Sequence, residues 1–597
     1  MSKLAIGIDL GTSTSEIALF RNGRPQPIAD PLTGRAIVPS LVALDMDSRI
    51  LVGENAVATV DLPGRGVRQV KRLMGTNATV ALGDEEYRPE EVSAIILTHL
   101  RRMAEAYVGE PVTAAVISVP ANFGEPARTA TYNAARVAGL EVLRLVNEPT
   151  AAALAFGQQS LDAEGQIVVF DWGGGTLDVT TLEMMEGVLD IRSSFGDPKL
   201  GGTDFDDKMI DLLLRKFAAA GGDCSNQREP RRTLKQAAET TKKDLTVMPS
   251  ASVFVDRFGR KAGEMAALDV SVTRDEFEAA IGDLLDRARV VVNRALKAGK
   301  FKPSSIQKIL LVGGTTYIPA VRQLVAELFG MEGSAEVDPD LAVVMGAAIQ
   351  ASIATDQASE SAPVIADVSA FGVGIDVVDL DSMGIPHLVY QPLIAPNEKI
   401  PFRRSFGFSL LHAEQDSVVV KVFQDHYGTA RVPEEATPTG IEGEISDIPV
   451  SDTGEPHPLT VDFNYNNDGR IQLHAYIPNL PDKEVLIEYR PTDQIMGTGQ
   501  LEDAAKRIET LMGGGHVAAP KPAAPVAPVS DSPLRRKYES LLKRASKLMD
   551  SGKKPSQTGR LARAIEVLET AIQSGDPARC ESAGGALVDA VFEYEVD

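Results

Sequence analysis

The sequence predicts an α/β unit over residues 1–355, then a compact β unit, then a small helical module at the C-terminal end. Three observations lead there. Up to about residue 355, short apolar β-branched runs alternate with amphipathic helical stretches, which is the pattern of α/β architecture. From about 364 to 490 the chain changes to short alternating strands. After residue 533 apolar residues return at helical spacing, beyond a segment too rich in Gly, Ala and Pro to bury a core.

The α/β signal rests on the runs Leu4–Ile8, Ala114–Val119, Gln166–Phe170 and Lys308–Val312. Each ends in a turn bearing glycine or proline (GIDLGTS, SVPANF, FDWGGGT, LLVGGTT), where α/β proteins place their binding loops. The β unit rests on SVVVKVFQ, LTVDFNYNNDGRIQLHAYI and KEVLIEY, with Asn467-Asp468-Gly469 expected as a tight hairpin connection. Leu501–Met512 predicts a short helix with Leu501, Ala504, Ala505, Ile508 and Leu511 on one face. Helical patterns follow near 534–549, 559–574 and 577–592.

Composition narrows the function. A chain of 597 residues implies about three or four units at ~150 residues each. The formal charge of −23 disfavours nucleic-acid binding, because phosphates attract basic surfaces. Cys224 and Cys580 stand alone, so neither a disulfide framework nor a zinc cluster is expected. The start MSKLAIGIDLGTS lacks the order of a signal peptide, since Asp9 interrupts its apolar run. No stretch approaches the ~20 apolar residues of a membrane span. A cytoplasmic protein without membrane contact is the expectation.

Two segments carry the chemistry. In Gly7-Ile8-Asp9-Leu10-Gly11-Thr12-Ser13-Thr14 a strand ends in an aspartate and passes into a glycine turn rich in hydroxyls. Glycine admits a phosphate to the backbone, hydroxyls and amides donate to its oxygens, and the aspartate suits Mg²⁺. Phe170-Asp171-Trp172-Gly173-Gly174-Gly175-Thr176-Leu177-Asp178 repeats that logic ~160 residues later. Either turn alone reads equally as a polar hairpin tip. Together they predict two related halves clamping one metal–nucleotide between them.

These segments, with VKRLMG, VISVPANFGEPARTAT, AARVAGLEVLRLVNEPTAAALAFG, LGGTDFD, LLVGGTTYIP and DPDLAVVMGAAIQ, run in family order over residues 1–355. They resemble the 70-kDa heat-shock chaperone family (DnaK-type) of the actin and sugar-kinase ATPase superfamily. The chain looks like a divergent, bacterial-like member with an atypical lid. The resemblance implies an actin-like two-lobed ATPase domain (1–355) and an interdomain linker (356–370). It further implies a β-sandwich peptide-binding domain (371–492) and a short helix (493–512), with a Pro/Ala-rich linker (513–533) and a helical C-terminal module (534–597) in place of the long lid.

The implied function is an ATP-dependent molecular chaperone that binds unfolded or extended polypeptide, with ATP hydrolysis switching its affinity. A weakly hydrolysing holdase or exchange-factor-like homologue is the alternative within the family. A metabolite kinase or an actin-like filament protein is the alternative outside it, though neither accounts for residues 364–597.

The resemblance also assigns residues. Lys71 matches the lysine that meets the terminal phosphate; by itself, a lysine in VKRL reads as an exposed helix cation. Glu148 and Asp171 match the carboxylates that organise Mg²⁺ and the attacking water, Asp9 and Asp171 being the metal residues. Thr176 matches the hydroxyl beside the γ-phosphate. Gly11, Thr12, Ser13, Thr14, Gly173, Gly174, Gly175, Gly201 and Gly202 match the phosphate turns. Glu239, Lys242, Thr246, Gly313, Gly314 and Asp340 match the nucleoside side. Tyr317 stands where the family usually has an arginine packed on the adenine. An aromatic ring also stacks, and a plain core aromatic is the other reading. ATP and Mg²⁺ are the implied cofactors, with K⁺ as a further candidate.

Pro120 and Arg128 match a relay to the interdomain surface. Arg144 and Asp367 match contacts to a J-domain co-chaperone. A nucleotide exchange factor completes the implied partners of a monomer. Val364-Ile365-Ala366 sits where the family has a bulkier apolar linker that docks on the ATPase domain with ATP, and smaller residues dock more weakly. Phe402, Phe406 and Phe408 read as sandwich core ahead of groove. The terminal Glu-Val-Asp resembles an acidic DnaK-type end.

Overall fold

The computed structural model describes residues 4–512 apart from 32, 160–163, 186, 226–228, 356, 358–362, 381, 467–470, 488–495 and 497. Beyond 512 it describes 542, 545–546, 549, 555–574, 576, 579–580, 582–584, 586–587 and 590.

Two mixed sheets dominate the first 370 residues. The first holds β1 (Ala5–Leu10), β2 (Thr14–Arg21), β3 (Arg24–Pro27), β4 (Ala114–Val119) and β5 (Glu141–Asn147) in the order β5-β4-β1-β2-β3. The second holds β6 (Gly165–Trp172), β7 (Leu177–Met185), β8 (Val188–Asp197), β9 (Ile306–Val312) and β10 (Val364–Ala366) in the order β9-β6-β7-β8-β10. Each sheet starts as an antiparallel meander whose first strand also pairs with a later parallel strand: β1 with β4, and β6 with β9. That repeat puts the turns after Asp9 and Asp171 in equivalent places.

The helices follow from the apolar faces that need covering. α1 (Pro89–Val108) and α2 (Glu125–Val137) close the core of the first sheet, where Ile6, Ile8, Ile95, Leu97, Ile117 and Ala134 are buried. α3 (Glu148–Gln159) and α4 (Gly202–Ala219) come next, then α5 (Pro230–Val247) and α6 (Ala342–Ala354). α3 and α6 are alanine-rich, and small side chains let them pack closely between the sheets in one core with Val116, Val169, Leu182 and Val312.

Residues 371–487 form two four-stranded sheets. One is β12-β11-β14-β15, from β11 (Gly372–Leu380), β12 (Pro386–Ile394), β14 (Val418–Asp425) and β15 (Thr437–Ile445). The other is β13-β16-β17-β18, from β13 (Phe402–Ser409), β16 (Pro458–Tyr465), β17 (Ile471–Ile477) and β18 (Leu480–Ile487). Both contribute to one core, with Val373, Val422 and Ile441 meeting Val461, Phe463 and Leu473. Phe402, Phe406 and Phe408 pack half-buried against it, on the core side as expected. β16 and β17 pair antiparallel as a hairpin requires, while Asn467-Asp468-Gly469 lies outside the described residues.

α7 (Thr498–Leu511) presents the expected face, but its partner is the first sheet's helices and not the sandwich. Leu501, Ala504 and Ile508 join the core of α1 and α2. Arg507 pairs with Glu85 at 2.7 Å and with Glu91 at 3.2 Å. The Gly513–Pro533 segment and the terminal Glu-Val-Asp lie outside the described residues. α8 (Pro555–Ser574) buries Leu561, Leu568, Ala571 and Ile572 in a separate small core with Leu542, Cys580 and Leu587. Among the described residues no helix is long and apolar enough to cross a membrane.

Candidate active site

The two aspartate-ended turns meet face to face. A Cβ built on Gly174 would stand 2.1 Å from Ser13 Oγ, and one on Gly175 would stand 2.2 Å from Thr12 Oγ1. Only glycine permits that approach. The two turns face each other across an open cleft. Its lining unites Asp9, Gly11, Thr12, Ser13, Thr14, Lys71, Glu148, Asp171, Gly173, Gly174, Gly175, Thr176, Gly313, Gly314 and Asp340.

Lys71 is buried, against the bland reading of an exposed helix cation. It sits in the 3₁₀ turn Val70–Leu73 with its Nζ 2.5 Å from Glu148 Oε1. Glu148 is the first residue of α3, where carboxylates are favoured. Asp9 is the next-to-last residue of β1 and accepts from the Ser118 hydroxyl at 2.6 Å. Asp171 occupies the equivalent place on β6, and its Oδ2 is buried without a hydrogen-bond donor.

Charge is unbalanced here. Burial raises the Asp9, Glu148 and Asp171 carboxyls above their ordinary values; Lys71 opposes the rise at each, and Glu148 adds to it at Asp171. Burial also works against the Lys71 ammonium, but Glu148, Asp9 and Asp171 outweigh it and raise its pKa. An excess of buried carboxylate over one ammonium, with an oxygen of Asp171 unserved, fits a divalent cation. Among the described residues no three His, Cys, Asp or Glu side chains form a cage of their own. Magnesium carried by phosphates and water does not need one.

Two carboxylates in this neighbourhood escaped the sequence reading. Asp178, in FDWGGGTLDV, is fully buried on β7, and burial followed by the Glu148 charge pushes its pKa up to about 8. Glu16 is buried on β2 opposite Asp9 and also lines the cleft. The available signal was an acidic residue inside an otherwise apolar strand.

The remaining predicted residues flank the cleft without lining it. Lys242 Nζ donates to the Gly202 carbonyl at 2.9 Å and pairs with Asp206 at 2.7 Å, so it supports the Gly201–Gly202 turn. Thr246 donates to the Lys242 carbonyl, and Glu239 pairs with Lys243 at 2.6 Å. Tyr317 is half-buried, so it is no core aromatic; its hydroxyl lies 3.5 Å from Asp338 Oδ1 and Arg322 sits over its ring. Arg72 bridges the halves, reaching the Gly175 carbonyl at 2.7 Å and Asp204 at 2.5 Å.

A hydrogen-bonded path leaves the cleft beside Glu148. Arg128 donates to Asn147 Oδ1 at 2.6 Å and to the carbonyls of Phe123 and Ala121, just beyond Pro120. Asn147 and Thr150 both donate to Asp367 Oδ2, each at 3.2 Å. Asp367 directly follows β10, where Val364, Ile365 and Ala366 pair in parallel with Val188, Leu189 and Asp190. The linker is thus docked as an edge strand of the second sheet. The sandwich is tied alongside, with Asn397 accepting from the Ser194 amide at 2.8 Å and Lys399 pairing with Asp190. Arg144 lies on β5 beside Asn147 and Asp367 around one small cavity.

The family model described as Hsp70 protein matches residues 5–80 and 76–494. Similar curated proteins include the "Chaperone protein DnaK" of Thermotoga petrophila and that of Thermotoga maritima. Each is 37% identical over 478 residues, covering 79% of this chain and 78% of the relative. The "Chaperone protein DnaK" of Mycoplasmopsis agalactiae is 38% identical over 427 residues, covering 71% of this chain and 69% of its own. The chain belongs to the Hsp70 family.

Proposed function

We propose that this protein is an ATP-dependent chaperone of the Hsp70 type, an ATPase whose cleft drives polypeptide binding and release by the sandwich. The observation that carries the reading is the buried Lys71–Glu148 pair, placed one residue from the Asn147–Asp367 bond that holds the linker. Nothing in the cleft or among the relatives favours a metabolite kinase.

In this reading ATP lies with its phosphates between the two turns, over the amides and hydroxyls of Gly11–Thr14 and Gly173–Thr176. Lys71 offsets charge on the terminal phosphate, and positioning with electrostatics does most of the work in phosphoryl transfer. Glu148 and Asp171 orient the attacking water and accept its proton's hydrogen bond, and Thr176 donates to a γ-phosphate oxygen. Asp9 and Asp171 would hold Mg²⁺, which would supply charge neutralisation at the phosphate oxygens. Gly313 and Gly314 lie beneath the nucleoside and Tyr317 borders the base.

Loss of the γ-phosphate changes the demand on Lys71 and Glu148, and the Arg128–Asn147–Asp367 path passes that change to β10. Exposed Val378, Leu380, Met383, Ile385 and Leu388 on the β11–β12 hairpin offer apolar surface to an extended polypeptide. Co-chaperones of the J-domain and exchange-factor classes and a cytoplasmic location complete the proposal. Single-turnover ATP hydrolysis with and without an unfolded peptide and a J-domain protein tests it. Stimulation by both is expected, and a rate indifferent to both counts against the coupling.

A further inference from the structure

The family match stops at residue 494, so the role of α8 has to be read from its own contacts. One face of α8 carries Leu561, Ile565, Leu568 and Ile572, which turn into the small C-terminal core. Gly559, Arg563 and Glu566 fall at i, i+4 and i+7, on the opposite side of the helix. That second face is seated on the first 370 residues. α8 packs against β10, and a Cβ on Gly559 would stand 2.7 Å from Val188 Cγ2. Glycine inside a helix costs about 1 kcal/mol relative to alanine, and here it allows the helix to touch β8 directly.

The seat has a physical reason. Among the described residues β10 pairs with β8 alone, and the outer backbone groups of an edge strand are ones a folded protein covers or leaves open to pairing. α8 packs beside this pair, touching β10 and Val188 of β8. Glu566 lies in the field of Arg144, on the edge strand β5 of the first sheet; burial raises the Glu566 carboxyl and the Arg144 guanidinium opposes the rise. One helix therefore touches the second sheet at β10 and β8, while its Glu566 carboxyl feels the charge of Arg144 on β5.

We propose that the C-terminal module is an intramolecular ligand of the docked linker: α8 packs against β10, with Gly559 against Val188 of the neighbouring β8. A ligand that fits only the docked linker stabilises docking by the free energy of its own contact. About 30 residues separate Leu511 from Leu542, and a short tether gives an effective concentration near millimolar, so a weak contact suffices. The module then competes with any partner that uses Arg144 and Asp367; that consequence rests on the J-domain reading above, whereas the seat itself does not.

The test uses the full chain without any partner. Ideal Cβ positions at 559 and 188 lie 4.0 Å apart, within disulfide reach. In a chain carrying Val188→Cys and Gly559→Cys, mild oxidation should link the pair at least about tenfold faster than in a control pairing Val188→Cys with Val567→Cys on the exposed side of α8. Equal rates would mean a tether without a seat, and overturn the proposal. Gly559→Leu improves helix propensity yet collides with Val188. It should speed hydrogen exchange at the amides of Val364–Asp367 about tenfold while α8 keeps its own protection. Unchanged linker exchange in that variant would equally overturn the clamp.

Discussion

Lys71 Nζ stands 2.5 Å from Glu148 Oε1, and the two side chains are 77 residues apart in sequence and buried together. Water does not screen such a pair, so each member fixes the other's position and charge. Glu148 also follows Asn147, whose amide holds Asp367. The ion pair therefore stands one residue from the bond that holds the linker.

Lys71→Ala should lower single-turnover ATP hydrolysis by about 10²–10³-fold, the usual cost of removing one preorganised charge from a transition state. It leaves Glu148 buried and unpaired, so a fall in melting temperature should accompany it. Nucleotide affinity, measured by titration, should change far less than the rate. A variant with full hydrolysis would remove Lys71 from the site.

Asp178 gives a pH signature. Its pKa of about 8 in the folded chain exceeds the ordinary value of 3.8, so the folded state holds a proton that the unfolded state releases. Stability then falls as pH rises between those two values, by at most about 1.4 kcal/mol per unit. Without nucleotide and divalent ions, thermal unfolding between pH 5 and 8 should show that loss. Asp178→Asn, which mimics the protonated acid, should flatten it; an equal slope in both proteins rules Asp178 out as the titrating group.

What could be read in the sequence follows from how local each signal is. Ala114–Val119 was delimited correctly because a fully buried parallel strand is a continuous apolar run. The two aspartate turns were visible because strand, acid and glycines are contiguous. The burial of Lys71 was not visible in VKRL itself, since it depends on Glu148 across the fold. Asp178 is not legible as an unusual acid in FDWGGGTLDV, because its setting appears only once β7 is known to be buried on both faces. The apolar face of α7 was legible, but an amphipathic face does not name its partner, and Leu501 and Ile508 turn to α1 and α2.

Asp367→Ala removes the acceptor shared by Asn147 and Thr150. A buried donor left unsatisfied, here Thr150, costs about 1–3 kcal/mol and the half-buried Asn147 amide less, and that cost falls on the docked linker. Basal hydrolysis should remain within about twofold, while stimulation by an unfolded peptide should drop about five- to tenfold, as read by steady-state ATPase assays. Undiminished stimulation would detach this path from coupling.

Tyr317 decides how the base side works. Its ring is half-buried beside Arg322, its hydroxyl points to Asp338, and it borders the cleft without lining the phosphate end. An aromatic contact of this kind contributes about 0.5–1.5 kcal/mol, so Tyr317→Ala should weaken ATP and ADP binding by about three- to tenfold. Because the phosphates are held by the two glycine turns, the hydrolysis rate of bound ATP should stay within about twofold. Nucleotide titration and single-turnover rates separate the two effects. Substitution by arginine preserves a flat face for the base, so Tyr317→Arg should restore affinity that Tyr317→Ala loses. If alanine and arginine variants bind alike, the ring does not meet the base.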